Sequence, residues 1–315
     1  MTRQAFWFSG ETAGETGGSL AANFTGLDGY REGEEVSIGG AEAHHATVKR
    51  LRLGEVVDVV DGLGRRAGAE VIAAANSGLQ LRLIEDAVSD PEPALRITLI
   101  QALAKEKRDM QALESAVEMG AWRVIPWGAT RSVSRWDTVP KRAKGREKWR
   151  NLAVSAMKQS RQARLAEVSE YLESGVDISS EHRGGEARWG RPVVKTVFSE
   201  VEAMVRGGAA VFVLHEVTEE HLADMLVPLA QPGKTPGEIV VIVGPEGGIT
   251  VPELAAFVEA GARPALLGPT VLRCSSAGPA ALAVIQSRLG SWRDTESRCC
   301  LLYTSDAADE RASVD

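Results

Sequence analysis

Ile239-Val-Val-Ile-Val-Gly244-Pro245-Glu246-Gly247-Gly248-Ile249-Thr250-Val251-Pro252-Glu253 is the stretch whose reading decides the fold. Its opening run of branched apolar residues has no polar face, the pattern of a strand buried on both sides of a parallel sheet. A glycine-rich turn follows, and then a helix start. Thr250 is placed as the N-cap, Glu253 as its capping-box partner, Pro252 in the first turn and Gly261 as the stop. Such a turn lies at the carboxyl end of a parallel strand, where α/β proteins place ligands. The spacing is neither G-x-G-x-x-G nor G-x-x-x-x-G-K-[ST], which argues against dinucleotide and ATP-phosphate sites. A tight corner without a ligand fits the same residues equally well.

Working outward, Leu266-Leu267-Gly268-Pro269-Thr270-Val271-Leu272-Arg273-Cys274-Ser275-Ser276-Ala277-Gly278-Pro279-Ala280 reads as a short strand, a Gly-Pro turn and a helix over 280–289 capped by Ser275 or Ser276. Upstream, 96–103 and 124–127 are buried-strand runs. Between them 105–119 is helical, with Met110, Leu113 and Val117 on one face and Gly120 as its stop. Residues 141–164 form a long basic helix with Trp149, Leu152, Ala156 and Met157 turned inward; 173–192 is a polar loop, and 211–214 is another strand. This alternation predicts an α/β domain with a mostly parallel sheet over 94–292. Ahead of it, short runs at 34–38, 56–60, 69–73 and 79–84, separated by Gly-rich turns, predict a small β-barrel or sandwich over 1–88. Ser89–Pro93 is the linker between them, its two prolines disfavouring helix and central strand alike.

The composition, 44% hydrophobic and 25% charged over 315 residues, is that of a soluble globular chain. No run approaches membrane-spanning length, and the N-terminus lacks a signal-peptide pattern, so the expected location is cytoplasmic. Cys274, Cys299 and Cys300 suggest no disulfide framework, and no zinc spacing occurs, so no metal is expected. Residues 299–315, containing Cys-Leu-Leu-Tyr-Thr-Ser, read as a translated sequencing adapter and stand outside the fold. The net charge is −7, yet residues 131–164 hold eleven Lys and Arg against two Asp and Glu. That basic segment is a candidate phosphate-contact surface or a solvated helix face.

VGPEGG (243–248) followed some twenty residues later by LGPTVLRCSSA (267–277) closely resembles the RsmE family of SPOUT-type enzymes, which methylate a uridine at base nitrogen 3 in small-subunit ribosomal RNA. HHATVKRLRLGEVVDVVDG, ITLIQALAKEKRDMQALESAVEMGAWRVIPW, RSVSRW and KWRNLAVSAMKQSRQ extend the resemblance across about residues 3–292. It implies a PUA-like RNA-binding barrel followed by a SPOUT domain with a deep trefoil knot, which would be an exception to the rule against threaded chains. It also implies S-adenosyl-L-methionine as cofactor, 16S ribosomal RNA in the small subunit as partner, and a homodimer. The donor would be held by Leu214, His215, Gly244, Pro245, Glu246, Gly247, Gly248, Leu267, Gly268, Leu272, Arg273, Ser275 and Ala277. Many relatives carry Thr-Glu-Thr-Ala where this chain has Cys274-Ser275-Ser276-Ala277, so any role of that Glu does not transfer. The departure keeps open a catalytically inactive RNA-binding or assembly factor of the same fold.

Methyl transfer from a sulfonium needs alignment more than covalent chemistry. Arg273 is the candidate for stabilising the uracil anion, the alternative being an ion pair within the fold. Glu246 would touch donor or base, or brace its own loop; both are the candidate catalytic residues. His215 is read as a core histidine or a proton acceptor. Cys274 is a small buried hydrophobe rather than a thiol nucleophile. RNA contacts are expected from Arg3, His45, Arg50, Arg52, Arg131, Arg135, Arg150, Lys158, Arg161 and Arg164.

Overall fold

The computed structural model describes residues 3–9, 24–39, 42, 51–75, 78–175 and 195–293. His45, Arg50, most of the 173–192 loop and the tail 299–315 lie outside the described residues.

The first unit is built from β1 (Ala5–Trp7), β2 (Glu35–Ile38), β3 (Val56–Val60), β4 (Arg65–Ala75), β5 (Gly78–Leu83) and β6 (Val88–Ser89). The sheet runs β1-β3-β4-β5-β2, with β6 on β4. All its pairs are antiparallel except β1 with β3. The long β4 breaks register between Val71 and Ala73 against β5, and such an irregularity bends a strand and tightens its twist. The sheet therefore curls around Phe6, Val57, Val59, Ala69, Val71, Leu79, Leu81 and Leu83. The unit is a curled, mostly antiparallel sheet, in keeping with the small barrel or sandwich expected from the turn spacing. Asp61 fixes the turn after β3. Fully buried, it accepts the amides of Leu27 (3.1 Å), Leu63 (2.7 Å) and Arg65 (2.9 Å).

The second unit holds β7 (Arg96–Ala102), α1 (Arg108–Glu118), β8 (Arg123–Gly128), α2 (Val139–Gln159), β9 (Glu167–Val168), β10 (Leu172–Glu173), α3 (Val197–Arg206), β11 (Ala210–Leu214), α4 (Leu222–Met225), β12 (Glu238–Val243), α5 (Val251–Glu259), β13 (Arg263–Ala265) and α6 (Cys274–Arg288). Its strands are all parallel, in the order β10-β8-β7-β12-β11-β13, with β9 on β8. β12 shows why its sequence has no polar face. Ile239, Val241 and Val243 join Leu113, Trp149, Leu282 and Ile285 on one side. Val240 and Ile242 join Val197, Val201 and Phe257 on the other. Both faces are covered, as a parallel sheet requires.

The end of β13 has an unusual neighbourhood. Alternate residues of a strand direct their polar groups to opposite edges. At Ala265 the carbonyl accepts the His215 amide (3.1 Å); at Leu266 the amide donates to Glu220 (2.8 Å) and the carbonyl accepts from Leu222 (2.8 Å). Residues 265 and 266, at the end of this short strand, are thus both bonded to one continuous segment, 215–222.

The two units meet at the C-terminal end of α2. Trp7 and Val60 pack on Val154, Met157 and Ala163. The Gly64 amide donates to Ala163 (3.1 Å) and the Leu165 amide to Gly62 (2.9 Å). The expected helix over 141–164 stops at Gln159, and 161–165 is instead the strap that carries these contacts.

Candidate active site

The turns after β12, β11 and β13 come together because these strands are direct neighbours, in the order β12-β11-β13, and all run the same way. Their carboxyl ends therefore open on one side of the sheet, where α/β folds bind ligands. The turn after β12 is tight. The Gly248 amide donates to Pro245 (2.9 Å), and Gly248 sits at φ +74°, a conformation that favours glycine. A Cβ on Gly244 would stand 2.6 Å from Ile249, so this position too is confined to glycine. Trp127 anchors the strand end below, its indole N–H donating to the Val243 carbonyl (3.1 Å).

The helix after the turn starts as its sequence says. Thr250 caps α5 and Glu253 answers in a capping box. Glu253 does more than cap. Fully buried, its Oε1 accepts the Thr130 amide (2.7 Å) and the Ser174 hydroxyl (2.8 Å), and its Oε2 the Thr250 amide (2.9 Å) and hydroxyl (2.8 Å). Burial pushes this carboxyl up, but the donors outweigh it and hold it below the ordinary carboxylate range. One side chain thus ties the donor turn's helix to the loop after β8.

The turn after β13 leads into α6, which begins at Cys274, six residues ahead of the expected start. Arg273 is the N-cap and makes no side-chain cap bond; its carbonyl receives the amides of Ser276 (2.8 Å) and Ala277 (2.9 Å). The serines therefore lie within the first turn, Ser275 buried and Ser276 exposed, and neither caps the helix. Pro279 lies inside the helix. Gly278 lets α6 lie directly on β7 and β12.

The expected donor residues divide clearly. Leu214, Leu267 and Ala277 are half-buried and pack on the core beneath the three turns. Gly268 faces open space, with nothing within 4 Å of an added Cβ. Among the described residues, no backbone hydrogen bond takes up the amides of Leu267, Gly268 or Leu272. His215 braces its own loop, its Nδ1 accepting the Val217 amide (3.1 Å). Arg273 is exposed, and its guanidinium forms no ion pair among the described residues. Burial pushes the Cys274 thiol up to about 11, with the nearby Glu246 adding to the effect, which fits a packing residue rather than a nucleophile.

Of the expected RNA contacts, Arg131 and Arg135 stand exposed on the loop after β8, donating to the carbonyls of Gly247 (3.0 Å) and Thr130 (3.0 Å). Arg150 lies half-buried on α2. Arg3 faces Asp58 at 3.7 Å, and Arg52 is exposed on the first unit. Lys158 and Arg164 are placed differently. Lys158 is ion-paired with Glu42, both largely covered. Arg164 stacks on Trp122 at 5.1 Å and faces Glu92 at 3.6 Å. Lys158 thereby joins the units, and Arg164 meets the first unit through backbone bridges to Gly62 and Leu63. Arg161 is exposed in the strap, in a left-handed conformation at φ +56°, and its carbonyl accepts from Arg66 (3.3 Å).

The helix expected over 105–119 begins only at Arg108, and 105–107 form a loop after β7 instead. Lys105, Glu106, Lys107 and Arg108 stand against the donor turn, where the Lys105 amide donates to Glu246 Oε1 (2.8 Å) and Arg108 lies 3.7 Å from the same oxygen. The signal available was a charged run directly after a buried strand, at the edge where ligands bind.

Among the described residues, no group of three or more His, Cys, Asp or Glu is placed to hold a metal, and no helix is long and apolar enough to cross a membrane.

Comparison with known proteins gives a consistent result. A family model described as an RNA methyltransferase domain matches residues 91–186 and 187–286, and one described as an RNA methyltransferase PUA domain matches residues 38–84. Ribosomal RNA small subunit methyltransferase E of Mycobacterium bovis is 37% identical over 263 residues, covering 83% of this chain and 90% of its own. The Bacillus subtilis protein of that name is 25% identical, covering 81% and 90%. Among solved structures, the small subunit methyltransferase E of Neisseria gonorrhoeae, bound to S-adenosyl methionine, superposes with a TM-score of 0.69 at 22% identity, covering 92% of this chain and 99% of its own. A Legionella pneumophila putative methyltransferase in complex with the same cofactor gives 0.68 at 21% identity, covering 92% and 100%. At these identities the structures establish the fold, and the family model together with the mycobacterial relative establishes that the chain belongs to the ribosomal RNA small subunit methyltransferase E family of RNA methyltransferases.

Proposed function

We propose that this protein transfers the methyl group of S-adenosyl-L-methionine to base N3 of a uridine in 16S ribosomal RNA of the small subunit, acting in the cytoplasm as a homodimer. The observation that carries the reading is the meeting of three turns from adjacent parallel strands beside exposed arginines.

The residues present fit the cofactor. Leu214, Leu267 and Ala277 offer an apolar floor, Gly268 leaves room above it, and the unengaged amides of 267, 268 and 272 offer donors to an adenosine. Bound there, the cofactor would supply an electrophilic methyl group on a sulfonium. The protein's part is to orient and to stabilise charge. Uridine N3 carries a proton that must leave, and the base becomes anionic as it goes. The Arg273 guanidinium, free of ion pairs among the described residues and at the mouth of the site, is placed to lower that cost. Arg131 and Arg135, beside the donor turn, would hold RNA phosphates and fix its register without reading sequence. The target base would have to leave its stack to reach the site.

Isothermal calorimetry with S-adenosylmethionine tests the donor site. The reading predicts one binding event per chain, weakened by Gly268→Val. Absence of binding would favour an inactive RNA-binding factor, which the Cys274-Ser275-Ser276 departure allows.

A further inference from the structure

We propose that Glu246 is a positioning residue that latches the loop after β7 onto the donor turn, and that Arg108 is its partner in setting where the acceptor base stands. The proposal rests on the function given above and assigns the roles within that site.

Glu246 Oε1 takes the Lys105 amide at 2.8 Å and faces Arg108 Nη1 at 3.7 Å. These contacts join segments 141 residues apart in the chain. The loop so held is not at rest. Glu106 and Lys107 both lie in the left-handed region, at φ +56° and +60°, which side chains other than glycine rarely adopt without outside restraint. Restraint comes from two sides. Glu246 holds Lys105 from the donor turn, and the buried Asp109 holds the Ala104 amide at 3.3 Å from α1. Arg108 is fixed further by Glu106 at 3.1 Å.

The donor turn is itself pinned on its other side, where Arg131 Nη1 donates to the Gly247 carbonyl at 3.0 Å. The loops after β7 and β8 thus grip the turn after β12, as expected from the strand order β8-β7-β12. The grip also reaches the third turn, because Glu246 and Arg108 both lie close enough to act electrostatically on Cys274, directly after Arg273. A carboxylate engaged by an amide and a guanidinium is poorly placed to accept a proton from uridine. It is well placed to keep Arg108 and Lys105 at the rim of the site.

The test compares Glu246→Gln, Glu246→Ala and Arg108→Ala in steady-state methylation of small ribosomal subunits lacking the modification. Wild-type protein serves as the reference, and cofactor affinity is measured separately by calorimetry. Gln keeps an oxygen for the Lys105 amide. As a latch, Glu246→Gln should retain most of kcat and the wild-type pH–rate profile, while Glu246→Ala should lose about 100-fold in kcat/KM, the scale of a misplaced reacting group. Arg108→Ala should raise KM for RNA by at least tenfold with little change in cofactor affinity. If Glu246→Gln and Glu246→Ala are equally inactive, by about 10²–10⁴-fold, and the acid limb of the profile disappears, Glu246 is a general base and the latch is overturned. Wild-type activity on a different RNA, or none, would instead count against the function on which the proposal rests.

Discussion

Gly278 lies so close to Leu99 that a Cβ added to it would stand 3.0 Å from the leucine Cδ1 and 3.5 Å from Val243 Cγ2. This contact seats α6 on the middle of β7 and the end of β12, and so fixes the turn carrying Arg273 relative to the turn carrying Glu246.

Substitution at Gly278 should therefore act through packing. Alanine gains about 1 kcal/mol of helix propensity over glycine, against about 1–3 kcal/mol for overpacking. The Ala variant should lose no more than about 2 kcal/mol in thermal unfolding. Gly278→Val should lose at least about 2 kcal/mol and bind S-adenosylmethionine more weakly. A Val variant with wild-type stability and affinity would show that the seat is loose.

Glu253 gives a pH prediction. Its folded carboxyl is held below its ordinary value of 4.5. A depressed carboxylate contributes stability that is full above that value and is lost as pH falls through the lower folded value. Glu253→Gln should flatten the stability profile below about pH 4.5. Glu253→Ala should cost about 2–4 kcal/mol near neutrality by leaving the half-buried Thr130 and buried Thr250 amides unpaired. Parallel acid limbs in wild type and the Gln variant would contradict this.

The cations on the protein should separate by assay. Arg135→Ala should weaken RNA binding and reduce the slope of log affinity against log salt by about one. Lys158→Ala should leave that slope unchanged and lower the unfolding temperature, because its partner is Glu42 at the junction of the two units. The reverse pattern would place Lys158 on the RNA surface.

Cys274 should resist alkylation. With its thiol pushed up to about 11, a variant lacking Cys299 and Cys300 should react with iodoacetamide at pH 8 only after unfolding. Rapid labelling of the folded protein would mean that the thiol is exposed and ionised.

The sequence made the parallel sheet and its principal turns legible, because they rest on local signals. The uninterrupted apolar run of β12, the capping pair Thr250 and Glu253, and the Gly120 stop are each read within a few residues. What stayed hidden depends on partners distant in the chain. Nothing near Lys158 or Arg164 announces Glu42 or Trp122, so the intramolecular partners of these two cations were not legible. Nothing near Lys105 announces Glu246, so 105–107 read as the start of a helix and not as a loop beside the donor turn. The start of α6 was misplaced because serines commonly cap helices, while here the backbone of Arg273 does so. The irregularity between Val71 and Ala73, which bends the first sheet, is not revealed by strand spacing.

The most direct test of the account is mass mapping of 16S ribosomal RNA after incubating the purified protein and S-adenosylmethionine with small subunits that lack the modification. The account predicts a single added methyl group, on N3 of one uridine. Subunits recovered unmethylated, or methylated on a ribose or on another base, would contradict it.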